Sequence, residues 1–577
     1  MPAWEQTPLY DRIKQRYDKR KKIRQPWEDP CDDIIDMYRP DMTKLSCDYK
    51  NITFPGKNIY SSYPAWCLDV MDRGFRGYTI SSALVWFRHK IGDQGLRGVD
   101  QVNKWLQTEQ RHMLDTYSSR SNLYEVLGSF GRQAISTGSP VMVVEEDYET
   151  GRIICLVPHP RQRWLGHNIF GDPDELVLEW EYSLRDAVKK FGLDNLSIDS
   201  QNRYKQGNFI EKEIFIQIIC HHKDPMFEEM KEGESRPPRR WPCMYIQKKT
   251  DDMHKTVLYP LRNGHPVYGY HERNFTVWHY MRDWPYDYAF TPAWFGRFDA
   301  QSLMQMEKSL LMVAQKSADP PTWAPDFMKT SLRLYPGAKN WYEVGQRDDM
   351  PRSIIENMSW PLGKEQKMDT MENIKRLFHI DFFMLLTEFQ KKQGSFPTAT
   401  HVMGMLGEKA VLLGPTCESS ENTWMRDIDR IFVSIEDRAG RLPMPPDIVD
   451  YYSDGELIPE FIGPLNTMQR EFHMRRQAET ALIAVEPYFA YWPETKHKIK
   501  ADEAVERILE HHDYWQDSIR GKAEYDEIIK AMTQRQELQE GLEIAERAAK
   551  AIPSLQHETP PDSPMAQLME AGANVSP

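Results

Sequence analysis

The sequence lacks the short motifs that carry common enzyme chemistry. It contains no Gly-x-x-x-x-Gly-Lys-Ser/Thr phosphate loop, no Gly-x-Gly-x-x-Gly turn and no His-Glu-x-x-His zinc pair. The adjacent histidines at 221–222 and 511–512 point to different sides of a helix or strand, so we interpret them as surface or packing residues. The acidic pairs at 32–33 and 348–349 and the stretch 447–456 lack a nearby lysine at strand spacing, which disfavours a metal nuclease. The sequence therefore predicts no cofactor, no metal site and no catalytic residue.

Cysteines are few, and long apolar runs are missing. The chain has 7 cysteines in 577 residues, without a Cys-x-x-Cys, which indicates reduced thiols in a cytoplasmic setting rather than a disulfide or zinc framework. The densest apolar patch, Phe382 to Leu386, is far shorter than the ~20 residues needed to span a bilayer. The first residues show no secretion signal. A mean hydropathy of −0.66 fits a polar, soluble protein with no direct membrane insertion.

The chain has fewer basic than acidic residues, and the excess of acidic residues is concentrated in its last quarter. The net charge is −13, and residues 440–577 hold 14 Lys and Arg against 25 Asp and Glu, whereas residues 297–400 hold 14 against 13. An acidic chain disfavours sequence-specific DNA binding, because phosphate neutralisation is the main source of affinity. It still permits a protein past which DNA slides. Residues 9–24 predict a basic helix, which is most often a solvated face; contact with nucleic acid or a partner is the alternative.

Two amphipathic helices are the most informative feature of the sequence. They are predicted at Phe298 to Ser317 and at Glu365 to Leu386, separated by a Pro/Trp-rich insert. Two helices of about 20 residues are each roughly 30 Å long, so they can form a stem with an exposed head at one end. A short basic loop, Gln390 to Pro397, follows the second helix. A stem of this kind has a clear purpose in a ring and little purpose in a monomer.

The middle of the chain predicts a mixed α+β body. A second helical segment with Trp27 follows the basic helix and ends at Pro40. Long helical stretches are predicted after Thr400 and over 465–486 and 501–550, and a polar tail follows from Pro553. Strands are expected at Val141 to Val144, Ile153 to Val157, Glu175 to Tyr182, Glu213 to Cys220, Met244 to Gln247, Val257 to Tyr259 and Phe275 to Arg282.

Several short motifs occur in a characteristic order along the chain. They are Trp27 with Tyr38-Arg39-Pro40, Ser81 to Phe87, Leu123 to Asp147, Pro320-Pro321, Phe378 to Leu385, Thr398 to Val402 with Glu408-Lys409, and Gly440 to Pro445. No single motif is specific, but in their shared order, which extends over most of the chain, they resemble the portal, or head-to-tail connecting, proteins of short-tailed (podovirus, T7-like) bacteriophages. One departure is His401-Val402, where the family leads us to expect an acidic residue before the valine.

The resemblance implies a portal fold that forms a ring, usually of twelve copies. Its parts are an α/β wing, a helical stem, a small clip, a tunnel loop and a helical crown. The implied boundaries are wing 1–295, first stem helix 296–318, clip 319–362, second stem helix 363–386, tunnel loop 387–399, long helix and return to the wing 400–465, crown 466–552 and a disordered tail 553–577.

The resemblance also assigns roles to particular residues. The basic loop would contact DNA in the channel; its sequence taken alone is also that of a plain solvated turn, but its position after a stem helix disfavours that interpretation. The clip aromatics either pack the clip itself or bind terminase and adaptor. The assigned residues are Lys391, Lys392, Gln393 and Ser395 in the tunnel loop; Trp323, Arg333, Trp341, Tyr342, Arg347 and Arg352 in the clip; and Met371, Ile374, Phe378 and Phe382 as contacts between stems of neighbouring subunits.

By the same resemblance, the protein is expected at the portal vertex of the virion capsid after assembly in the host cytoplasm. It would seed procapsid assembly, dock the packaging motor, join head to tail and pass double-stranded DNA during ejection. The implied partners are further copies of the chain, the large terminase subunit, tail adaptor or nozzle proteins, scaffolding and major capsid protein, and internal core or ejection proteins. The alternatives are another head-tail adaptor or structural virion protein and, less favoured, a packaging nuclease.

Overall fold

The computed structural model is a mixture of helices and antiparallel sheets, as the sequence predicts. Its Cα positions group into two units. The described residues are 8–47, 54, 56, 59–97, 99–227, 239–249, 255–318, 322–323, 352–353, 360–384, 411–449, 457–464 and 522–551. The first unit comprises Met1–Gly92, Leu106–Met444 and Asp450–Ala484, and the second comprises Asp93–Trp105, Pro445–Val449 and Val485–Pro577.

Helices account for most of the regular structure in the described residues. Residues 411–420 are also helical and lead through a wider helical turn, Glu421–Met425, into the helix that begins at Arg426. The helices are α1 (Leu9–Tyr38), α2 (Tyr63–Thr79), α3 (Asp100–Asp115), α4 (Leu123–Ile135), α5 (Leu184–Phe191), α6 (Ile198–Lys205), α7 (Pro292–Phe295), α8 (Arg297–Ala318), α9 (Trp360–Leu377), α10 (Ile380–Phe383), α11 (Arg426–Arg438) and α12 (Lys522–Ala551).

The strands form antiparallel sheets of two, three and five members. In the described residues they are β1 (Phe87–Ile91), β2 (Val141–Asp147), β3 (Arg152–Leu156), β4 (Arg163–His167), β5 (Pro173–Ser183), β6 (Lys212–Cys220), β7 (Trp241–Gln247), β8 (Leu261–Arg262), β9 (His265–Pro266), β10 (Gly269–Tyr270), β11 (Phe275–Val277), β12 (Thr322–Trp323), β13 (Arg352–Ser353) and β14 (Leu457–Phe461). The five-stranded sheet has the order β10-β7-β6-β5-β4 and the three-stranded sheet the order β11-β2-β3. The two-stranded sheets pair β1 with β14, β8 with β9, and β12 with β13.

The five-stranded sheet is covered on both faces. Ile13 and Tyr17 of α1 pack in one cluster with Ile216 of β6. Phe191 of α5 packs on the other face with Phe215 of β6, at a ring-centroid distance of 5.2 Å. Successive side chains of a strand point to opposite faces. Burial of both faces therefore explains why β6 reads as a nearly continuous apolar run.

A second core joins helices to the three-stranded sheet. Phe75 of α2 stacks on Trp278, just after β11, at a centroid distance of 5.3 Å, and Phe130 of α4 meets Trp424 at 5.0 Å. All four rings are almost fully buried. Large aromatic side chains contribute strongly to core stability through their area. This core fixes the helical residues 411–438 against the sheet that contains β2.

The first helix corrects the sequence prediction. The sequence indicated a basic helix followed by a separate segment, but α1 is one helix of 30 residues with Pro26 and Pro30 inside it. Its length is about 45 Å at 1.5 Å per residue. Proline removes a backbone hydrogen bond and opposes a continuous helix. Here packing prevails, because Ile13 is buried on the five-stranded sheet and Ile34 in a helical cluster near the other end.

The predicted strands are confirmed in five of seven places. The segments near 141, 153, 175, 213 and 244 correspond to β2, β3, β5, β6 and β7. The segment Val257 to Tyr259 makes only an isolated bridge, between Leu258 and Tyr245. The expected strand from Phe275 ends early, at Val277. The pairing of β1 with β14 was not predicted, because its partners are far apart along the chain.

The second unit contains the long helix α12. Its described apolar side chains are largely exposed; Leu538 and Leu542 are each 66% exposed, and Met532 is 59% exposed. A helix usually packs its apolar residues onto a neighbour. The predicted helix over 501–550 is confirmed from Lys522 onward. The rest of that prediction, and the helix predicted over 465–486, lie outside the described residues.

Candidate functional site

The candidate site is a helical hairpin closed by a short β-ribbon. Helices α8 and α9 run antiparallel: Lys367 Nζ of α9 lies 2.6 Å from Glu307 Oε1 of α8. One turn further along, a Cβ atom added to Gly363 would lie 3.3 Å from a methyl carbon of Leu310, so the glycine allows the close approach of the helices. Glu307 and Leu310 are three residues apart on α8, and Lys367 and Gly363 are four residues apart on α9. With 3.6 residues per turn, each pair lies on one face of its helix.

The ribbon lies between the two helices along the chain. Strand β12 pairs with β13 in antiparallel register, with Thr322 opposite Ser353 and Trp323 opposite Arg352. Since β12 follows α8 and β13 precedes α9, the ribbon joins the ends of the hairpin that are remote from its base. The order helix, ribbon, helix is the order that the family resemblance implies for a stem and its clip.

The base of the hairpin is anchored in the first unit. Phe378 is fully buried, and its ring centroid lies 5.4 Å from that of Tyr38 at the end of α1. The Tyr38 hydroxyl donates a hydrogen bond to the carbonyl oxygen of Gly296, at 3.0 Å. Burial raises the pKa of Tyr38 far above its usual range, so the hydroxyl remains a donor. Leu303 and Ile374 are buried in the same cluster.

The second stem helix is shorter than the sequence predicts. A single helix from Glu365 to Leu386 was expected, but α9 ends at Leu377 and α10 begins at Ile380. Between them His379 adopts a left-handed backbone conformation, with φ of 49°. This conformation is costly for a residue with a Cβ atom. It allows Phe378 and Phe382 to enter two different buried clusters, which a straight helix would not permit.

The predicted stem contacts have a role that the sequence did not indicate. Ile374 and Phe378 are 0% exposed and Phe382 is 4% exposed within a single chain, and Met371 is partly buried. The first three therefore have almost no surface left for a neighbouring subunit. Their participation in ring contacts stays a prediction, and within the chain they fill the core. The hairpin instead exposes other apolar side chains, among them Leu311 (50%), Met312 (42%) and Met368 (61%).

Most residues assigned to the clip and the tunnel loop fall outside the described residues. In the clip, the structure gives the backbone pairing of Trp323 with Arg352. Arg333, Trp341, Tyr342 and Arg347 lie outside the described residues, as do Lys391, Lys392, Gln393 and Ser395 of the tunnel loop. The assignments of all these residues to partner or DNA contact remain predictions.

The basic helix divides its charges between two faces. Arg12, Arg16, Arg20 and Arg24 repeat every four residues, and side chains at that spacing share one helix face. Arg16 Nε lies 2.6 Å from Glu175 Oε1, and Arg20 Nε donates to Glu175 Oε2 at 2.9 Å. Arginine is thus used to join α1 to the sheet. The lysines at 14, 19, 21 and 22 are exposed.

Arg24 is the most enclosed of these arginines. It is 4% exposed, and its Nη1 atom donates to the carbonyl oxygens of Pro160 and Arg163 at 2.9 and 2.8 Å. The interpretation of residues 9–24 as a wholly solvated face is therefore wrong for the arginines. The four-residue spacing of arginine was the signal in the sequence that could have revealed the buried face.

A buried charge network that the sequence analysis missed joins β1, α3 and α11. The ring of His89 lies between the carboxylates of Glu109 and Asp429, with Nε2 to Asp429 Oδ2 at 2.9 Å. Tyr117 donates its hydroxyl hydrogen to Asp429 Oδ1 at 2.9 Å. Burial opposes the imidazolium charge, but Asp429 and Glu109 outweigh it and raise the pKa of His89 to about 10. The network stabilises the fold through charge pairing, and no local spacing could have indicated it.

A second buried chain of polar groups has the outward form of a hydrolase relay. Ser139 Oγ lies 2.9 Å from His279 Nδ1, His279 Nε2 lies 2.9 Å from His167 Nε2, and His167 Nδ1 lies 2.9 Å from Asp287. However, Ser139 is 0% exposed, and its Oγ also accepts a hydrogen bond from the backbone N–H of Ala289. A nucleophile must be reached by its substrate. This arrangement therefore serves to hold the turn after α4 in place.

Taken together, the described geometry is that of a structural protein, built from an anchored hairpin and buried ion pairs. The chain belongs to the bacteriophage head to tail connecting protein family, whose model matches residues 10–513. It is also similar to the portal protein of Salmonella phage epsilon15, with 22% identity over 528 residues that cover 88% of each chain. The family predicted from the sequence is confirmed, and so is a structural rather than enzymatic role. Within the described residues, no helix is long and apolar enough to cross a membrane.

Proposed function

We propose that this chain is the portal subunit of a short-tailed bacteriophage. Copies of it form a ring at one vertex of the capsid, and double-stranded DNA passes through the ring during packaging and ejection. Membership of the head to tail connecting family and similarity to a phage portal protein support this function. The single observation that carries it is the antiparallel α8/α9 hairpin with a β-ribbon between its helices.

The hairpin has the properties of a stem that requires neighbours. Helix α8 has 22 residues and is therefore about 33 Å long. Its base is buried in the subunit, while Leu311, Met312 and Met368 lie exposed further along the pair. Exposed apolar side chains are stabilised when a partner removes them from water. In a closed ring each subunit presents one face to the next, so these three side chains meet the neighbouring hairpin.

The remaining parts of the channel follow from the family resemblance. The ring has about twelve subunits, the clip binds the large terminase subunit and later the tail adaptors, and the crown faces the capsid interior with scaffolding and ejection proteins. Lys391 and Lys392 of the tunnel loop contact the DNA backbone without reading bases. Clip arginines are candidate contacts for the protein partners, because arginine is enriched in interface hot spots.

The ring is tested directly by electron microscopy of negatively stained protein and by native mass spectrometry. We expect rings with an axial hole and a mass close to twelve subunits. The variant Met368→Glu places a charge on the exposed apolar face and is expected to lower the fraction of protein in rings. Gln366→Glu, an exposed polar position on the same helix, is the matched control. Wild-type protein that remains monomeric under all assembly conditions contradicts the proposed function.

The clip is tested with Arg347→Glu. We expect this variant to form normal rings and to bind terminase or adaptor more weakly than the wild type in a pull-down, because a reversed charge opposes an arginine contact. Arg376→Glu, on an exposed part of α9, is the control for a general effect of charge. Unchanged binding by intact rings rules out a role for Arg347.

A further inference from the structure

A basic cleft of about 680 Å³ lies on the first unit, away from the hairpin. It is bounded by the end of β2, the β8–β9 turn, the segment before β11 and the last turns of α11. Four arginines line it. Arg273 is paired with Asp427, and the other three are Arg239, Arg262 and Arg438, with His265 and His271 beside them. The cleft was not indicated by the sequence, since its residues come from four separate segments.

The three arginines of the basic cleft lack acidic partners. Arg262 lies over the ring of Tyr148 at 3.3 Å, Arg438 Nη1 donates to Ser434 Oγ at 2.9 Å, and Arg239 contacts the ring of His271. In the part of the chain that the structure describes, no carboxylate oxygen lies within 4.0 Å of any of them. This contrasts with α1, where Arg16 and Arg20 reach carboxylates. Guanidinium groups bind carboxylates strongly through paired hydrogen bonds, so the cleft has unused capacity for anions.

Two of the arginines, Arg239 and Arg438, act on the same histidine of the cleft, His271. Burial lowers the pKa of His271, and Arg239 and Arg438 lower it further. Glu272 opposes this shift, but the net lowering of the pKa indicates a positive potential at His271. An acidic group entering there would therefore be attracted by more than one arginine.

The lining also contains buried polar atoms without hydrogen-bond partners. Glu272 Oε1 accepts a hydrogen bond from Ser434 at 3.0 Å, but its Oε2 has no partner among the described residues. The same holds for Nε of Arg273, although other atoms of that side chain contact Asp427. Both atoms are enclosed by protein, so the unused binding capacity of the cleft is that of its arginines.

A polypeptide segment with an acidic side chain supplies the anion that these arginines lack. A DNA duplex also carries anions, but it is too wide for a cleft of this volume. Glu272 and Glu146 in the lining repel any anion beside them, so a single carboxylate placed at the arginines is favoured over a continuous row of phosphates. The chemistry therefore favours an acidic peptide over nucleic acid.

We propose that the basic cleft binds an acidic segment of a neighbouring copy of this chain. The inference rests on the proposed ring. Charged groups that pair only with a neighbouring subunit have no partner within their own subunit. The three arginines of the cleft have no carboxylate partner among the described residues. With a net charge of −13 per chain, neighbouring subunits repel one another overall. Local pairing of arginine with carboxylate at the interface offsets this repulsion and fixes the orientation of the subunits.

The test compares ring assembly of the full chain with and without the cationic lining. In Arg262→Glu/Arg438→Glu both charges are reversed, and in Arg262→Gln/Arg438→Gln they are removed. Lys14→Glu/Lys21→Glu, on the exposed face of α1, is the matched control. We expect the protein concentration for half-maximal ring formation to rise at least about tenfold for the charge reversal, less for the glutamine variant, and little for the control. Circular dichroism checks that each variant is folded.

The outcomes separate this inference from the function on which it rests. Wild-type protein that never forms rings overturns both. Wild-type rings, together with equally stable rings from the glutamine variant and the charge reversal, overturn the inference alone. Binding of a 20-base-pair duplex that is lost in the charge reversal, with ring formation unchanged, assigns the cleft to nucleic acid and also overturns it. Raised salt should weaken wild-type rings more than rings of the glutamine variant.

Discussion

Replacing Phe378 by alanine distinguishes a core role from a role in ring contacts. The side chain is 0% exposed in a single chain and lies against Tyr38 at the base of the hairpin. Removing a buried phenylalanine side chain costs about 3–5 kcal/mol, through lost burial and the cavity left behind. The stability of the isolated subunit should therefore fall by that amount, before any question of assembly arises.

The assay is denaturant unfolding at concentrations where sedimentation shows only single subunits. Met368→Ala is the matched control, because Met368 is 61% exposed on α9, the helix that ends just before Phe378. Its free energy of unfolding should change by less than about 0.5 kcal/mol, whereas its rings should be weakened. The reasoning is refuted if Phe378→Ala leaves the subunit as stable as the wild type and impairs only ring formation. That result would identify Phe378 as an interface residue, as the sequence alone predicted.

Three further predictions concern charge. The pKa of His89 is raised above its ordinary value of 6.5, so its ion pairs stabilise the fold fully below about pH 6.5, and this stabilisation is lost as the pH rises toward 10. Between about pH 7 and 10 the free energy of unfolding should therefore fall less steeply with pH in His89→Gln than in the wild type. Glu175→Gln should cost about 1.5–3 kcal/mol in thermal unfolding, because the buried carboxylate pairs with both Arg16 and Arg20 while these arginines keep Asp224 and Asp287 as partners. Asp199→Asn at an exposed pair should cost under about 1 kcal/mol. Lys391→Ala/Lys392→Ala should preserve rings and procapsids but impair late packaging or DNA retention, and normal full heads would contradict a DNA contact.

The elements with a regular apolar period were predictable from the sequence. Helix α8 was expected at Phe298 to Ser317 and is found at Arg297–Ala318. The buried strands β5 and β6 were located by their apolar and β-branched residues. In these cases local propensity and tertiary packing favour the same structure, so the local signal is sufficient.

The elements that were missed depend on distant contacts. The strand pair β1 and β14 brings Phe87 opposite Phe461. The charge network places Asp429 against His89, although 340 residues separate them along the chain. Likewise α1 continues through Pro26 because each part of it is packed against a different body of the fold. Spacing within a short window contains no information on such partners.

Hydrophobic periodicity also leaves open what covers a buried face. The stripe of Ile374 and Phe378 correctly indicated burial, but a stripe packed inside the subunit and one packed between subunits have the same sequence pattern. Only after the chain's own contacts are assigned can the remaining exposed groups be recognised. Among the described residues they include the apolar side chains of Leu311 and Met368 on the hairpin and the arginines of the basic cleft that lack carboxylate partners. Removal from water stabilises the apolar side chains, and pairing with carboxylates stabilises the arginines. A neighbouring subunit would meet both conditions, and ring assembly is therefore the decisive measurement for this protein.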